Sequence, residues 1–302
     1  MYSQQNITLY AVQKKAVQLT FHRCDGSTWQ KTTLAKGSSY SLPGVRDAEG
    51  YTFMGWSTKP MQSVSPQYEA EEKITVNGNV DLYAVVFNRT TETDLTEDQL
   101  PQVDIYKYKQ VIFVGDSRTE FMENVLTGMG ESATKNVKFV CSAGKGLDWF
   151  TTTGWAQLYS IVQHDSNSIL SKKTAVIFNF GVNDLSKSAD YAEYYNWIAP
   201  QLKSKGCELY FMSVNPVNRL MLSNAGRADR SEAAVRSFNQ YMKANLSSAY
   251  TYIDMYSYLK STGYSFASDH YGTGTVDDGL HYTTRTYKRI FAKCMDSLRV
   301  PA

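Results

Sequence analysis

The sequence contains few of the residues that build metal sites or covalent cross-links, with four cysteines and four histidines in 302 residues. The cysteines form no CxxC pair and show no metal-ligand spacing. They are Cys24, Cys141, Cys207 and Cys294. We therefore expect free, buried thiols, with neither a zinc site nor a disulfide framework.

Long apolar runs and an excess of one charge are also missing. The sequence lacks the run of about 18 apolar residues that a membrane helix needs. Its polar first ten residues lack the basic and apolar regions of a signal peptide. The 31 Lys and Arg residues balance 29 Asp and Glu residues without a basic stripe. We expect a soluble chain with no membrane span and no nucleic-acid partner.

An internal repeat is present near the amino terminus. The motif "NITLYAV" at residues 6–12 returns as "NVDLYAV" at residues 79–85. Because almost nothing precedes the first copy, residues 1–15 are predicted to be the trailing strand of a preceding repeat in a longer protein. Residues 16–88 contain the apolar runs "AVQLTFHR", "YTFMGWST", "KITV" and "VDLYAVVF", separated by glycine-containing turns, which predict a small, mostly β module.

A change of composition follows the repeat. Residues 89–106 begin with the polar, acidic stretch "RTTETDLTEDQLPQVD" and hold few apolar residues. A segment of this kind cannot bury enough apolar surface to fold alone, so it is predicted to be a linker.

Residues 107–302 alternate short apolar runs with amphipathic stretches. The runs lie at 111–115, 137–142, 175–181, 208–214 and 251–255. This alternation predicts a three-layer α/β/α domain built on a five-stranded parallel sheet. Cys141 and Cys207 then lie at opposite ends of their strands, too far apart for a disulfide. Functional residues are expected where the strands end.

Two motifs follow the first and second runs. The motif "GDS" places Ser117 at the start of a helix, where an exposed hydroxyl can act as a nucleophile. Alternatively, Asp116 or Ser117 only caps that helix. In "AGKGLD", Gly144 and Gly146 allow the backbone to approach a ligand and present an N–H, although a tight turn explains them equally well.

Two further motifs follow the third run and precede the last helix. In "GVND", the Asn183 amide can donate to an oxyanion, unless Asn183 or Asp184 serves as a turn or cap. In "DGLH", a loop allows Asp278 to accept from one imidazole nitrogen of His281 while the other faces a serine. Read alone, this stretch is equally a loop that caps the next helix. The order of all four motifs at successive strand ends favours a shared catalytic site.

Residues 109–300 resemble the SGNH hydrolases, the GDSL esterase/lipase family, through these four motifs. The resemblance implies a flavodoxin-like sheet and an acyl-enzyme mechanism without metal or organic cofactor. In it, Ser117 is the nucleophile, His281 is the general base and Asp278 orients the histidine.

The same resemblance implies an oxyanion hole. Its donors are the backbone N–H of Ser117, the backbone N–H of Gly146 with Gly144 as the alternative, and the side chain of Asn183. Arg118 departs from the family pattern, which has leucine there, and is expected to alter the wall beside the nucleophile.

Residues 16–88 resemble the Listeria–Bacteroides repeat, also called the internalin B-type repeat. The matching residues are Phe53, Gly55, Trp56, Leu82, Tyr83 and Ala84. This resemblance implies a β-grasp-like spacer or binding module of a secreted or surface-attached bacterial protein, which contacts the cell surface or neighbouring repeats. Alternatively, Trp56 and Tyr83 are simply core residues.

Aromatic residues near the Gly146 and His281 motifs suggest the substrate. They are Trp149, Phe150, Trp155, Tyr264, Tyr271 and Tyr282. Aromatic faces suit sugar rings, so with the repeat they favour an esterase that removes O-acetyl groups from carbohydrate or cell-wall glycans. The alternatives are a lipase or short-chain acyl esterase, a sugar O-acyltransferase, and a surface-binding protein with an idle hydrolase domain.

Overall fold

The computed structural model describes residues 15–104, 107–165, 173–222, 230–268 and 277–298. Its strands are β1 Ala16–His22, β2 Thr28–Ala35, β3 Ser38–Ser41, β4 Tyr51–Ser57, β5 Lys73–Val76, β6 Val80–Asn88, β7 Tyr108–Gly115, β8 Val137–Cys141, β9 Lys173–Asn179, β10 Cys207–Met212, β11 Tyr250–Ile253, β12 Phe266–Ser268 and β13 Asp277–Tyr282. Its α-helices are α1 Ser117–Met129, α2 Glu131–Thr134, α3 Leu147–Trp149, α4 Trp155–Asp165, α5 Ser188–Ser204, α6 Glu232–Asn245, α7 Met255–Thr262 and α8 Thr284–Ser297.

The five apolar runs after residue 107 form one parallel sheet. Its strand order is β8-β7-β9-β10-β11, and every neighbouring pair is parallel. This is the flavodoxin-like order, and it confirms the predicted five-stranded sheet. Because β8 and β9 lie on opposite sides of β7, the crevice at the carboxyl ends of β7 and β9 is the point where such sheets bind ligands.

Helices cover both faces of this sheet. Along β7, Ile112 and Val114 pack with residues of α4, α5 and α6, whereas Val111 and Phe113 pack with residues of α1, α7 and α8. All four side chains are fully buried. Strands buried on both faces need apolar residues at consecutive positions, which explains why these strands appear as continuous apolar runs. The predicted α/β/α layering is confirmed.

The repeat forms a mixed sheet with the order β2-β1-β6-β4, in which β1 and β6 are parallel. The small mostly β module is confirmed, and the antiparallel β3–β5 pair contributes to its core. Trp56 is fully buried and donates to Pro43 O at 2.8 Å, so it is a core residue. Tyr83 is half-buried and stacks on His22. Of the expected trailing strand at 1–15, all but the last residue lies outside the described residues.

Residues 89–104, within the predicted linker, pack against the α/β unit. Leu100 and Val103 belong to the buried cluster that includes α1 and α8. The Glu92 carboxylate is buried and serves as a polar anchor. Its hydrogen-bond donors are Ser265 Oγ at 2.6 Å, Thr286 Oγ1 and Arg289 Nη1 at 3.0 Å. A segment too polar to form its own core is therefore ordered by contacts with another part of the chain.

The repeat itself also packs on the α/β unit. Met54, Val85 and Phe87 of the repeat share the buried cluster of α7 and α8. Gly263 follows α7, and a Cβ at that position would lie 2.3 Å from the Phe87 ring. One face of the repeat sheet therefore faces its own core, while the other is covered by the α/β unit.

The cysteine predictions are confirmed in part. All four are free thiols, and Cys141 ends β8 while Cys207 begins β10, as expected. The predicted burial is wrong for Cys24, which is exposed after β1, and for Cys141, which is half-buried on an edge strand. Within the described ranges, no helix is both long and apolar enough to cross a membrane.

Candidate active site

Ser117 is the first residue of α1, directly after β7. The preceding Asp116 is the N-cap, and its side chain accepts from Arg118 N at 3.0 Å. A Cβ at Gly115 would lie 2.0 Å from Thr119 Oγ1, so only glycine allows this sharp turn between strand and helix. Asp116 therefore performs the capping that the sequence could not assign, and the Ser117 hydroxyl is not needed for it.

Three of the predicted site residues meet at this turn. His281 Nε2 lies 2.9 Å from Ser117 Oγ, and His281 Nδ1 lies 2.5 Å from Asp278 Oδ2. All three side chains are buried. The segment that carries Asp278 and His281 was predicted to be a loop, which is wrong, because residues 277–282 form β13 and pair with β12.

The ionisation of Asp278 determines how the histidine is oriented. Burial raises the pKa of this carboxyl, but the hydrogen bond and charge of His281 and two backbone N–H groups outweigh burial, and the pKa falls below its ordinary value. Those N–H groups belong to Leu280 and His281, each 2.7 Å from Oδ1. An ionised carboxylate only accepts, so Nδ1 carries the proton and Nε2 presents a lone pair to the Ser117 hydroxyl.

Gly279 allows the short connection between Asp278 and His281. Its φ of +68° lies in the left-handed region that glycine adopts readily. A Cβ there would also lie 2.4 Å from Asn218 O and 2.6 Å from Met221 Cβ. The backbone of β13 therefore touches the segment that follows β10.

Asn183 connects the loops that follow β8 and β9. Its Nδ2 donates to Lys145 O at 2.7 Å, and its Oδ1 accepts from Arg230 Nη2 at 2.7 Å. Because a side-chain amide has two N–H hydrogens, one remains for another acceptor. Arg230 was not predicted from the sequence, and it fixes which end of the Asn183 amide presents its donors.

Asp184 distinguishes the two candidate glycines. Its carboxylate accepts from Leu147 N at 2.9 Å and from Tyr191 Oη at 2.7 Å. A Cβ at Gly146 would lie 2.3 Å from Asp184 Oδ2, whereas Gly144 has open space and a φ of +69°. Gly144 is therefore a turn residue, while Gly146 is held against the end of β9 by Asp184.

One expectation about the nucleophile turn is wrong. Ser117 retains only 6% of its accessible surface, although an exposed hydroxyl was predicted. Arg118, which was expected to alter the wall beside the nucleophile, is buried. Its guanidinium donates to Leu280 O at 3.0 Å, Asn215 O at 2.9 Å and Pro216 O at 2.9 Å. It thereby binds α1 to β13 and to the segment after β10.

Half of the six aromatic residues that were expected near the site are core residues instead. These are Phe150, Tyr264 and Tyr282. Trp149 and Trp155 are half-buried, and Tyr271 lies outside the described residues. Proximity in sequence to a motif does not determine whether a ring faces a cleft or the core. Among the residues with assigned positions, no group of three His, Cys, Asp or Glu side chains is arranged to hold a metal ion.

The charge of Asp116 adds to the electrostatics at the start of α1. Complete burial raises the pKa of its carboxyl to about 6, although the Arg118 guanidinium and its backbone N–H oppose this shift. Near neutral pH the site therefore contains two buried carboxylates, Asp116 and Asp278, stabilised by different partners.

The sheet, the helices and the strand-end motifs define a three-layer α/β/α protein of the SGNH hydrolase class. The family model of the GDSL-like lipase/acylhydrolases matches residues 111–294, more than half of the chain, and that of the Listeria-Bacteroides repeat domain matches residues 18–85. The chain belongs to the GDSL-like lipase/acylhydrolase family and carries a Listeria-Bacteroides repeat before the hydrolase unit.

Solved structures give distant matches. A lipase/acylhydrolase from Enterococcus faecalis is 18% identical, with a TM-score of 0.38, over 63% of this chain and 95% of that one. The catalytic domain of Streptococcus pneumoniae peptidoglycan O-acetyltransferase A is 15% identical, with a TM-score of 0.38, over 63% of this chain and 92% of that one. An acetylxylan esterase from Geobacillus stearothermophilus is 11% identical, with a TM-score of 0.37, over 65% and 96%. No curated protein matches the chain.

Proposed function

We propose that the protein hydrolyses O-acyl esters through Ser117, His281 and Asp278. The observation that carries this proposal is the continuous contact from Ser117 Oγ to His281 Nε2 at 2.9 Å and from Nδ1 to Asp278. In this proposal residues 107–302 perform the reaction, residues 16–88 are the repeat and residues 89–106 join them.

The reaction proceeds in two halves. Ser117 Oγ attacks the ester carbonyl carbon while its proton passes to His281 Nε2. The tetrahedral intermediate collapses, the alkoxide leaves with the proton from Nε2, and an acyl-serine ester remains. Water then attacks that ester, gives one proton to Nε2, and releases the carboxylic acid as Ser117 regains its proton. Throughout, Asp278 stabilises the charged imidazole.

Three donors are proposed to bind the oxyanion of each intermediate. The Ser117 N–H lies at the positive end of α1, where the helix dipole favours negative charge. The second donor is the backbone N–H of Gly146, and the third is the Asn183 amide held by Arg230. Donors fixed before the reaction stabilise developing charge without reorganisation.

We further propose an acetyl group as the acyl part and a carbohydrate or cell-wall glycan as the alcohol. The low exposure of Ser117 favours a short acyl group. Attachment to a Listeria-Bacteroides repeat favours a secreted or surface-attached bacterial enzyme that meets glycans. Because three of the six aromatic residues near the motifs are core residues, the acetate-release experiment decides which sugar is the substrate.

Acetate release distinguishes the candidate substrates. The protein is incubated with O-acetylated xylan, O-acetylated peptidoglycan and long-chain p-nitrophenyl esters, with the Ser117→Ala variant as the blank. We expect acetate from at least one glycan with wild type and none above background with Ser117→Ala. Fast cleavage of long-chain esters without acetate release would instead indicate a lipase. Acetyl transfer to an added sugar in place of free acetate would indicate a transferase.

A further inference from the structure

We propose that the repeat positions the catalytic histidine through Asn218, an inference that rests on the function proposed above. Asn218 follows β10 and contacts both Gly279 in β13 and the 45–47 segment of the repeat. The repeat is thus part of the support of the active site in addition to any role as a spacer or binding module.

The first step is the contact between Asn218 and β13. Asn218 N donates to Gly279 O at 2.8 Å. Asn218 O is so close that a Cβ on Gly279 would lie 2.4 Å away. Gly279 stands between Asp278 and His281, so a displacement of the Asn218 backbone displaces the residues that hold the imidazole against Ser117.

The second step is the contact between Asn218 and the repeat. Its Nδ2 donates to Val45 O at 3.0 Å and to Asp47 Oδ1 at 2.9 Å. Its Oδ1 accepts from Leu220 N at 3.2 Å and caps a short 3₁₀ turn. Both donors of this buried amide are therefore directed to the repeat, across more than 170 residues of sequence.

The repeat holds its side of this contact rigidly. Asp47 Oδ1 also accepts from Phe53 N at 3.0 Å, and Asp47 Oδ2 accepts from Arg89 Nη2 at 2.7 Å. Arg89 Nε donates to Thr52 Oγ1 at 3.0 Å. Asp47 is thus fixed to the start of β4 and to the end of the repeat before it meets Asn218.

A second connection reaches the same segment. Val217 N donates to Glu232 Oε2 at 3.0 Å. Glu232 shares Lys260 with Glu69 of the repeat, at 3.0 Å and 2.7 Å from Lys260 Nζ. The segment at 215–218 is therefore held by Arg118 from α1, by β13, and by the repeat both directly and through Lys260. Removal of the direct contact leaves this segment less constrained beside His281.

The test compares Asn218→Ser with Arg219→Gln in the full chain. Serine keeps an acceptor for Leu220 N but is too short to reach Val45 and Asp47. The control removes the neighbouring contact between Arg219 Nε and Glu71 Oε1, at 3.3 Å, which also joins the repeat to this segment. We expect kcat of Asn218→Ser to fall roughly 10- to 100-fold with KM nearly unchanged, since small misplacements cost this much, and kcat of Arg219→Gln to stay near wild type.

Each measurement is made well below the Tm of the variant, and fluorophosphonate labelling of Ser117 supplies a second rate. A folded Asn218→Ser protein with wild-type kcat and labelling rate would overturn the inference, as would equal losses in both variants. If Asn218→Ser does not fold, Asp47→Ala tests the contact from the repeat side, because it removes the acceptor of Asn218 Nδ2, with the same expected loss of kcat. A wild-type protein that neither cleaves esters nor reacts with the label would instead overturn the proposed function.

Discussion

Arg118 shows how one residue next to the nucleophile can organise a site without entering it. Its three guanidinium hydrogen bonds end on backbone carbonyls of two different segments, and its charge lies 5.3 Å from the centre of the Tyr282 ring. A planar fork satisfies several carbonyls at fixed angles, which a lysine cannot reproduce. The departure from the family's leucine is therefore a structural device that supports β13.

Replacing Arg118 with leucine, the family residue, tests that role. We expect a loss of about 2–4 kcal/mol in the free energy of unfolding, because buried carbonyls lose charged donors. We also expect a lower kcat, since β13 loses a support. Urea unfolding and ester turnover measure the two effects, and Arg118→Lys is the matched control with the charge but not the fork. Wild-type stability and turnover in Arg118→Leu would show that the three guanidinium hydrogen bonds are dispensable.

At this scale the sequence predicted which residues meet but not what holds them. Ser117, Asp278 and His281 could be paired because their motifs end elements of a recognisable order. Arg230 and Asn218 were missed, since their contacts join segments that nothing in the local pattern relates. The sequence marks Arg118 as a departure from the family pattern, but its burial depends on the packing of β13 over α1, which no local pattern encodes.

The raised pKa of Asp116, the N-cap of α1, can be measured through the pH dependence of stability. Asp116 has a pKa of about 6 in the folded chain against an ordinary value of 3.8. The folded state therefore retains the proton to higher pH than the unfolded state does. As pH rises from about 4 to 6, this group lowers the free energy of unfolding, and the cost persists above pH 6.

Asp116→Asn removes that cost while keeping a good N-cap. We expect the variant to be more stable than wild type above pH 6, by on the order of 3 kcal/mol, with the difference vanishing near pH 3.5. Asp278 has the opposite slope, since its lowered pKa favours folding as pH rises, but it is common to both proteins and cancels. Urea unfolding across this range measures the difference. A stability difference that does not change with pH would contradict the raised pKa of Asp116.

The elements themselves were predictable to different degrees. The strands of the parallel sheet were found because burial on both faces leaves continuous apolar runs. Strand β13 shows no strand pattern in the sequence, because its polar residues serve the site and its pairing with β12 is a contact between separate segments. Local pattern thus identifies elements whose own apolar residues build the core. It misses elements that are stabilised by pairing with other segments of the chain.

The whole molecule is joined by a buried charged cluster. Lys260 lies between Glu69 of the repeat and Glu232 of α6. Burial lowers the pKa of Lys260, but the two carboxylates outweigh burial and the pKa is raised, so the ammonium stays charged. Together with the apolar contacts of Phe87, this cluster fixes the repeat on the α/β unit.

Lys260→Met tests how strongly the two units depend on each other. We expect a loss of about 3–5 kcal/mol in the free energy of unfolding, because the buried Glu232 carboxylate and the half-buried Glu69 carboxylate lose their shared cation. Lys203→Met on the exposed side of α5 is the control and should change stability by less than about 0.5 kcal/mol. Chemical denaturation measures both variants. Equal stability of Lys260→Met and Lys203→Met would mean that the cluster does not join the units.

The two-part organisation of the chain was visible in its composition, whereas the contact between the parts was not. The polar segment at 89–104 shows no apolar pattern. Glu92 is nevertheless buried, and it accepts hydrogen bonds from Arg289 of α8 and from Ser265, which directly precedes β12. Such contacts depend on the relative placement of folded units, which local periodicity does not encode.

Covalent labelling of Ser117 tests the central claim most directly. The protein is treated with a fluorophosphonate and the modified peptide is identified by mass spectrometry. We predict one label per chain, on Ser117, absent in Ser117→Ala and formed at least 100-fold more slowly in His281→Ala, as expected for loss of a general base. A label on another serine, no label, or a wild-type rate in His281→Ala would contradict the account.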